Sequence, residues 1–316
     1  MTNQSQNITI VGGGVAGMQM ALQLSGLGFS ITLLEKEAIL GGKVANWANI
    51  FPLNAKGSTL TNRLIAEIKS SNVLLQLSTE FQSLKRDVND WSVITNRGVL
   101  ENQQAVVMAD GFKLFNPSVK EELGYGLFKS VITASELEEM FDDGRLKKLA
   151  TSDNFSVAFV HCVGSRDRQI NCEHCSKICC MVGVKQAVEI KKRYPQSKVY
   201  NFYMDLRMYD EGFEELYYEA QATHKVNFVR GRVSEIAETI DKRLLVKAED
   251  TLLRKPLAGT FDLVVLLTGY EKRDKEVNAP LFYPKSSLVS TTIKETIAEA
   301  NSTSLEILNY FKTLQN

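Results

Sequence analysis

Apolar and polar positions along this chain follow two alternating periods. Residues 8–11 are β-branched and apolar, then come Gly12, Gly13 and Gly14, and then Val15, Met18 and Leu22 recur at helical spacing. An unbroken apolar run over 31–34 follows, so the pattern predicts strand, glycine turn, a helix ending at Gly26 and Gly28, and a buried parallel strand. A helix over 60–68 and strands over 73–77, 91–95 and 105–108 continue the series. Residues 112–150 read as a mixed connector with one short helix over 135–141, preceded by Thr133 as a cap. A second alternation then begins, with strands over 155–160, 198–203 and 226–229 interleaved with helices over 178–193 and 214–222. Strands over 244–248 and 263–267 and a last helix over 293–311 complete the chain. This alternation predicts an α/β protein with parallel sheets, in two units.

Composition narrows the class. With 316 residues, 44% of them hydrophobic and 23% charged, the chain can bury a sizeable core. Lys plus Arg number 37 and Asp plus Glu number 37, and this even balance argues against a nucleic-acid binder, which carries a basic excess. The first seven residues are short and polar, which predicts no export signal. No apolar run approaches the roughly 18 residues of a membrane span. The expected location is therefore the cytoplasm, without a membrane segment.

Gly12, Gly14 and Gly17 form G-x-G-x-x-G between strand and helix, and Glu35 ends the next strand 23 residues after Gly12. In that context Gly12 permits the tight turn, Gly14 the approach of a pyrophosphate, Gly17 close helix packing, and Glu35 a bond to ribose hydroxyls. The plain alternative is a structural turn. Lys36 and the later run Gly41-Gly42-Lys43 favour FAD over NAD, and Ala109-Asp110-Gly111 and Thr268-Gly269 have the form of strand-plus-glycine elements beside a flavin. The residues expected to hold FAD are Gly12, Gly14, Val15, Ala16, Gly17, Glu35, Lys36, Gly42, Lys43, Phe81, Ala109 and Gly111. No acid–base pair stands out as catalytic.

Four of the five cysteines crowd into residues 172–180, which in an unexported protein reads as a metal or redox site. Cys162 follows the strand over 155–160, where a second unit would carry its own phosphate-binding glycines, and G-x-G-x-x-G is missing there. Four thiolates suit a cubane cluster. Cys162, Cys172, Cys175, Cys179 and Cys180 are five candidates for four positions, and a zinc site or free core cysteines are the plainer readings. Arg166, Arg168, Lys177 and Lys185 are candidates to offset thiolate charge. His161 and His174 read as ordinary side chains, and His224 as surface.

Several stretches together resemble the heterodisulfide reductase A-subunit family: residues 11–18, 34–37 with 41–43, 51–52, and above all 162–167 with 175–181, continuing through 200–207 and 228–233. The resemblance covers most of the chain. It implies two Rossmann-like dinucleotide-binding units of the thioredoxin-reductase type, a FAD-binding domain over 1–115 plus 280–316, a connector over 116–150, and a second unit over 151–279 carrying the cluster. It implies a [4Fe–4S] cluster on Cys162, Cys175, Cys179 and Cys180, with Cys172 spare. It also implies electron transfer inside a cytoplasmic complex, with heterodisulfide-reductase B- and C-like partner subunits and a homodimer. The chain departs from the family at Ala55 and Lys56, where many members carry cysteines, and before residue 293, where a Gly-Ile-Phe-x-Ala-Gly segment is missing. Two other readings stand beside this one: an NAD(P)H-dependent flavin disulfide reductase using Cys172-x-x-Cys175, and a flavin-free scaffold within the same complex.

Overall fold

Two five-stranded parallel sheets organise the chain, each with the order of a dinucleotide-binding unit. The computed structural model describes residues 6–52, 54–87, 90–150, 154–273 and 281–314. Leu53 and the expected domain limits at 151 and at 279 and 280 lie outside the described residues.

The first elements are β1 (Asn7–Val11), α1 (Val15–Gly26), β2 (Ser30–Leu34), α2 (Gly57–Ser70) and β3 (Leu74–Gln76), then β4 (Phe81–Arg86), β5 (Trp91–Thr95), β6 (Gly98–Gln103), β7 (Ala105–Met108) and the two-residue β8 (Lys113–Leu114). Next come β9 (Val131–Thr133), α3 (Ala134–Asp143), α4 (Arg145–Leu149), β10 (Ser156–Val163), α5 (Cys179–Arg193), β11 (Lys198–Tyr203), α6 (Phe213–Ala222) and β12 (Asn227–Arg230). The remainder is β13 (Val233–Glu238), β14 (Leu244–Asp250), β15 (Lys255–Phe261), β16 (Leu263–Thr268), β17 (Tyr270–Glu271), β18 (Leu281–Phe282) and α7 (Ile293–Leu314).

Unit 1 comprises residues 1–50, 55–113 and 272–316. Its main sheet runs β18-β7-β1-β2-β3, every neighbouring pair parallel. α1 is buried on more than one side because the sheet and α7 both cover it: Met18, Met20, Ala21 and Leu24 join Ala300, Ile307 and Phe311 of α7 in one core cluster. Each of the larger side chains among these, Met, Leu, Ile or Phe, contributes on the order of 2 kcal/mol. β4, β5 and β6 form a separate antiparallel meander. Only β5 was legible in the sequence, since β4 and β6 are mostly exposed and carry polar residues.

Unit 2 comprises residues 51–54 and 114–271. Its parallel sheet runs β12-β11-β10-β16-β9, beside an antiparallel β13-β14-β15. Residues 116–150, expected as a connector, contribute β9 to this sheet, with Val131 paired to Val264. Three residues are too few to show a period, and their burial alone reveals them as core. α3 starts as expected at Thr133, whose side chain accepts from Glu136 N–H while the Glu136 carboxylate accepts from Thr133 N–H. No helix among the described residues is long and apolar enough to cross a membrane.

Candidate functional site

In unit 1 the turn after β1 lies at the carboxyl edge of the sheet, where the chain order reverses between β2 and β7. That is where open α/β sheets bind ligands. Gly12 holds φ at 109°, and a Cβ there would fall 2.4 Å from the Ala109 carbonyl oxygen. A Cβ on Gly17 would fall 1.9 Å from the Gly12 oxygen. Both glycines are therefore demanded by the chain itself. Gly14 differs: a Cβ there meets nothing within 4 Å, so no protein atom accounts for its smallness. It is also the N-cap of α1 and supplies no side-chain cap, which leaves the first helical N–H groups to an anion.

Some of the surrounding residues meet this turn and others do not. Gly13 N–H donates to Glu35 Oε2 at 2.7 Å and Glu37 N–H to Oε1 at 2.9 Å, so the buried Glu35 carboxylate is fixed beside the glycines. Gly42 stands against Gly14, a Cβ on it lying 3.1 Å from the Gly14 Cα. Val15 and Ala16 are buried in the first turn of α1. The Lys43 ammonium donates to the Phe112 carbonyl and lies 4.5 Å from the centre of its ring. Asp110, between Ala109 and Gly111, is paired to Arg273 at 2.6 Å. Lys36 is exposed and meets Glu37 at 3.9 Å, while Phe81 packs its ring on a core cluster that includes Val11 and Met108. The free space at Gly14, the uncapped helix start and the anchored acid fit the diphosphate and ribose of a dinucleotide.

In unit 2 the corresponding turn follows β10. β10 continues three residues beyond the expected strand, and its register shifts between Val160 and Val163. Within this bulge Cys162 has φ of 61°, a strained value for a side-chain-bearing residue. The bulge turns Cys162 toward the start of α5, which begins at Cys179 and not at the expected Ile178. Cys162, Cys179 and Cys180 are all buried and hydrogen-bonded through Cys179. Donation from Cys179, aided by His161, draws the Cys180 thiol down to about 4 against its burial. The same neighbour, with His161 and Arg166, brings Cys162 to about 7, and Cys179 itself is raised by sharing its one S–H between the two. Thiols at a helix start beside cationic groups are expected to ionise readily. Cys175 is half-buried and accepts from Lys177 N–H at 3.3 Å.

Residues 164–178 are tied down by Asp167. Its backbone exchanges hydrogen bonds with Cys172 at 2.8 and 2.9 Å, and its buried carboxylate meets Lys120 Nζ at 2.9 Å, Gln169 N–H at 3.1 Å and the Arg232 guanidinium. Of the four cations expected around the cysteines, Arg168 meets Glu173 at 3.7 Å and Lys185 meets Glu138 at 2.5 Å inside the unit. Arg166 stays by the thiols, and Asp205 first, then Cys162 and Cys175, raise its pKa. Its Nη2 donates to Asp205 at 2.8 Å, while its buried Nη1 has no partner among the described residues. A cationic atom left over beside buried cysteines fits an anionic thiolate-bound group. Among the described residues no three His, Cys, Asp or Glu side chains converge on one point as a single ion needs; the thiolates of a cubane each meet a different iron.

The histidines divide. His174 is an ordinary loop residue, bonded to the Tyr270 carbonyl at 3.1 Å. His224 is not open surface but is half-buried against Glu219 at 3.0 Å. His161, which strand position alone made unremarkable, is buried in contact with Cys180 and lies 2.8 Å from Asn201 Oδ1. Only the side-by-side placement of β10, β11 and α5 reveals it.

Two parallel-sheet units, one with a glycine cradle and one with a cysteine loop in the same topological place, define a two-unit dinucleotide-binding protein of the thioredoxin-reductase type. Solved thioredoxin reductases from Lactococcus lactis and T. acidophilum share the fold, with TM-scores of 0.69 and 0.66 at 14% and 16% identity, covering 97% and 95% of this chain and 99% and 97% of theirs. Residues 10–64 match a family model described as an NAD(P)-binding Rossmann-like domain. The A subunit of the ferredoxin:CoB-CoM heterodisulfide reductase of Methanosarcina mazei is 29% identical over 84% of this chain and 44% of its own. The iron–sulfur A subunit of the CoB–CoM heterodisulfide reductase of Methanocaldococcus jannaschii is 28% identical over 84% of this chain and 53% of its own. The chain belongs to the heterodisulfide reductase A-subunit family, and it spans about half the length of the curated relatives it matches.

Proposed function

We propose that this protein is an oxidoreductase subunit that holds FAD in unit 1 and a [4Fe–4S] cluster in unit 2 and carries electrons within a cytoplasmic heterodisulfide-reductase-like complex. The observation that carries the reading is the cysteine loop: Cys162 on a strained bulge, with Cys179 and Cys180 at the head of α5, and Arg166, which feels the charge of both Cys162 and Cys175 and keeps one nitrogen unsatisfied among the described residues. Relatives named as iron–sulfur subunits support it. When bound, FAD would exchange electron pairs and the cluster single electrons.

The chain's own residues bind and orient. Gly12 and Gly17 shape the turn, Gly14 and the start of α1 accept the pyrophosphate, and Glu35 takes the ribose. Cys162, Cys175, Cys179 and Cys180 serve as ligands, with Arg166 countering their charge. The nicotinamide-dependent alternative has less support, because residues 164–178 fill the turn where a second pyrophosphate would sit, and Cys172 is bridged to Asp167. Docking to B- and C-like subunits and homodimer formation belong to the same proposal.

The test is a UV–visible spectrum with iron and flavin quantitation on anaerobically purified protein. Flavin bands with about four irons per chain support the reading. Flavin without iron points to a thiol reductase, and neither cofactor points to a scaffold.

A further inference from the structure

His161 lies behind the cysteine loop, and its surroundings give it one task. It stands on β10 with 6% of its surface exposed, and Asn201 on β11 is fully buried beside it. Gly183, one turn into α5 from Cys180, leaves the space that Leu267 and the ring fill, since a Cβ there would come 2.4 Å from Leu267 Cδ1 and 3.0 Å from the His161 Cε1. Two polar atoms of this pair are unsatisfied among the described residues: His161 Nδ1 and Asn201 Nδ2, each buried. A half-turn of the amide gives the second of these a partner and fixes the tautomer of the first. An amide's oxygen and nitrogen exchange places by a half-turn, so Asn201 Nδ2 can donate to His161 Nε2 across the same 2.8 Å contact. The imidazole proton then sits on the buried Nδ1, which has no partner among the described residues, in a ring packed against Gly183 one turn from Cys180 on α5.

We propose that His161 is a positioning residue of the cluster site: held by Asn201 and given room by Gly183, it donates an N–H to the Cys180 sulfur and raises the reduction potential of the cluster bound there. A hydrogen bond to a ligating sulfur stabilises the extra charge of the reduced state more than the oxidised one, and this is an established lever on such potentials. The inference rests on the cluster reading above and assigns to this chain the group that sets the cluster's potential.

The experiment is an EPR-monitored redox titration of the intact anaerobic protein and its variants. His161→Leu is expected to keep about four irons and to shift the reduction equilibrium on the order of tenfold toward the oxidised state, about 59 mV for a one-electron couple. His161→Gln, which keeps an N–H donor, is expected to recover part of the shift. Asn201→Leu, which frees the ring without removing it, should move the potential the same way by less, and it serves if His161→Leu does not fold. A readout independent of potential is pulsed EPR on protein labelled with 15N-histidine. The chain has three histidines, so a coupling to the reduced cluster that disappears in His161→Gln belongs to His161. Loss of that coupling together with a lowered potential supports the proposal. A full cluster with unmoved potential and unchanged coupling in the variants overturns it alone, whereas an unmodified protein without iron overturns the reading beneath it.

Discussion

The turn after β1 and the turn after β10 occupy the same place in two sheets of matching strand order, yet they are built for different chemistry. In unit 1 the turn is short and made of glycine, so backbone N–H groups and empty space face outward. In unit 2 it is fifteen residues of anchored loop that bring sulfur to the head of the following helix. Topology sets where a ligand can sit, since both turns lie at the carboxyl edge where strand order reverses, and the residues of the turn decide which ligand. Under the proposed function both turns would exploit the partial positive charge of a helix start, once for phosphate and once for thiolates.

The comparison breaks most sharply at Gly17. Gly17→Ala drives a Cβ to 1.9 Å from the Gly12 carbonyl, so α1 must shift and unit 1 is expected to lose about 4 kcal/mol or fail to fold, read by thermal denaturation. Gly14→Ala, one turn earlier, is expected to leave the melting temperature nearly unchanged while lowering flavin content. Equal destabilisation by both would mean that Gly14, too, is a structural residue.

In unit 2 the equivalent blow falls on Cys179, a ligand in the proposed function. Cys179→Ala is expected to abolish the visible absorbance and iron of the cluster while FAD stays largely bound, measured by iron and flavin analysis. A full iron complement in that variant contradicts the ligand assignment.

Asp167→Ala tests the anchor. It leaves the Lys120 ammonium, 11% exposed, with Glu122 at 2.7 Å as its remaining carboxylate, so it is expected to cost about 1–3 kcal/mol and to loosen residues 164–178 in hydrogen exchange. The ion pair also fixes the pH window. Burial opposes ionisation of Asp167, but Lys120, the Gln169 N–H and Arg232 outweigh it and hold its carboxyl below the ordinary value. A lowered carboxyl pKa stabilises above the unfolded value of about 3.9 and fades as pH falls through the folded one, so the loop should lose protection only at acid pH. Protection lost between pH 6 and 8 would sink this account. The smallest effect is expected at Thr133→Ala, which removes the cap of α3 and should cost about 1 kcal/mol of unit 2 in a denaturant titration.

Much of this protein was legible before folding. The βαβ order, the glycine fingerprint with Glu35, the capped start of α3 and the cysteine cluster all depend on neighbours within a few residues, where period, turn chemistry and spacing carry the information. The polar meander strands β4 and β6 and the three-residue β9 were not legible, because their identity comes from pairing with distant strands and not from a local period. The same reason applies within each of the two turns. Sequence alone determined which residue types stand at the two turns. Only tertiary structure decided that Gly14 faces nothing of the protein, that Lys185 is spent on Glu138 while Arg166 stays with the thiols, and that His161 and Asn201 back Cys180. Those choices turn on burial and on which side chains meet across strands 40 residues apart, and a one-dimensional pattern does not hold that distance.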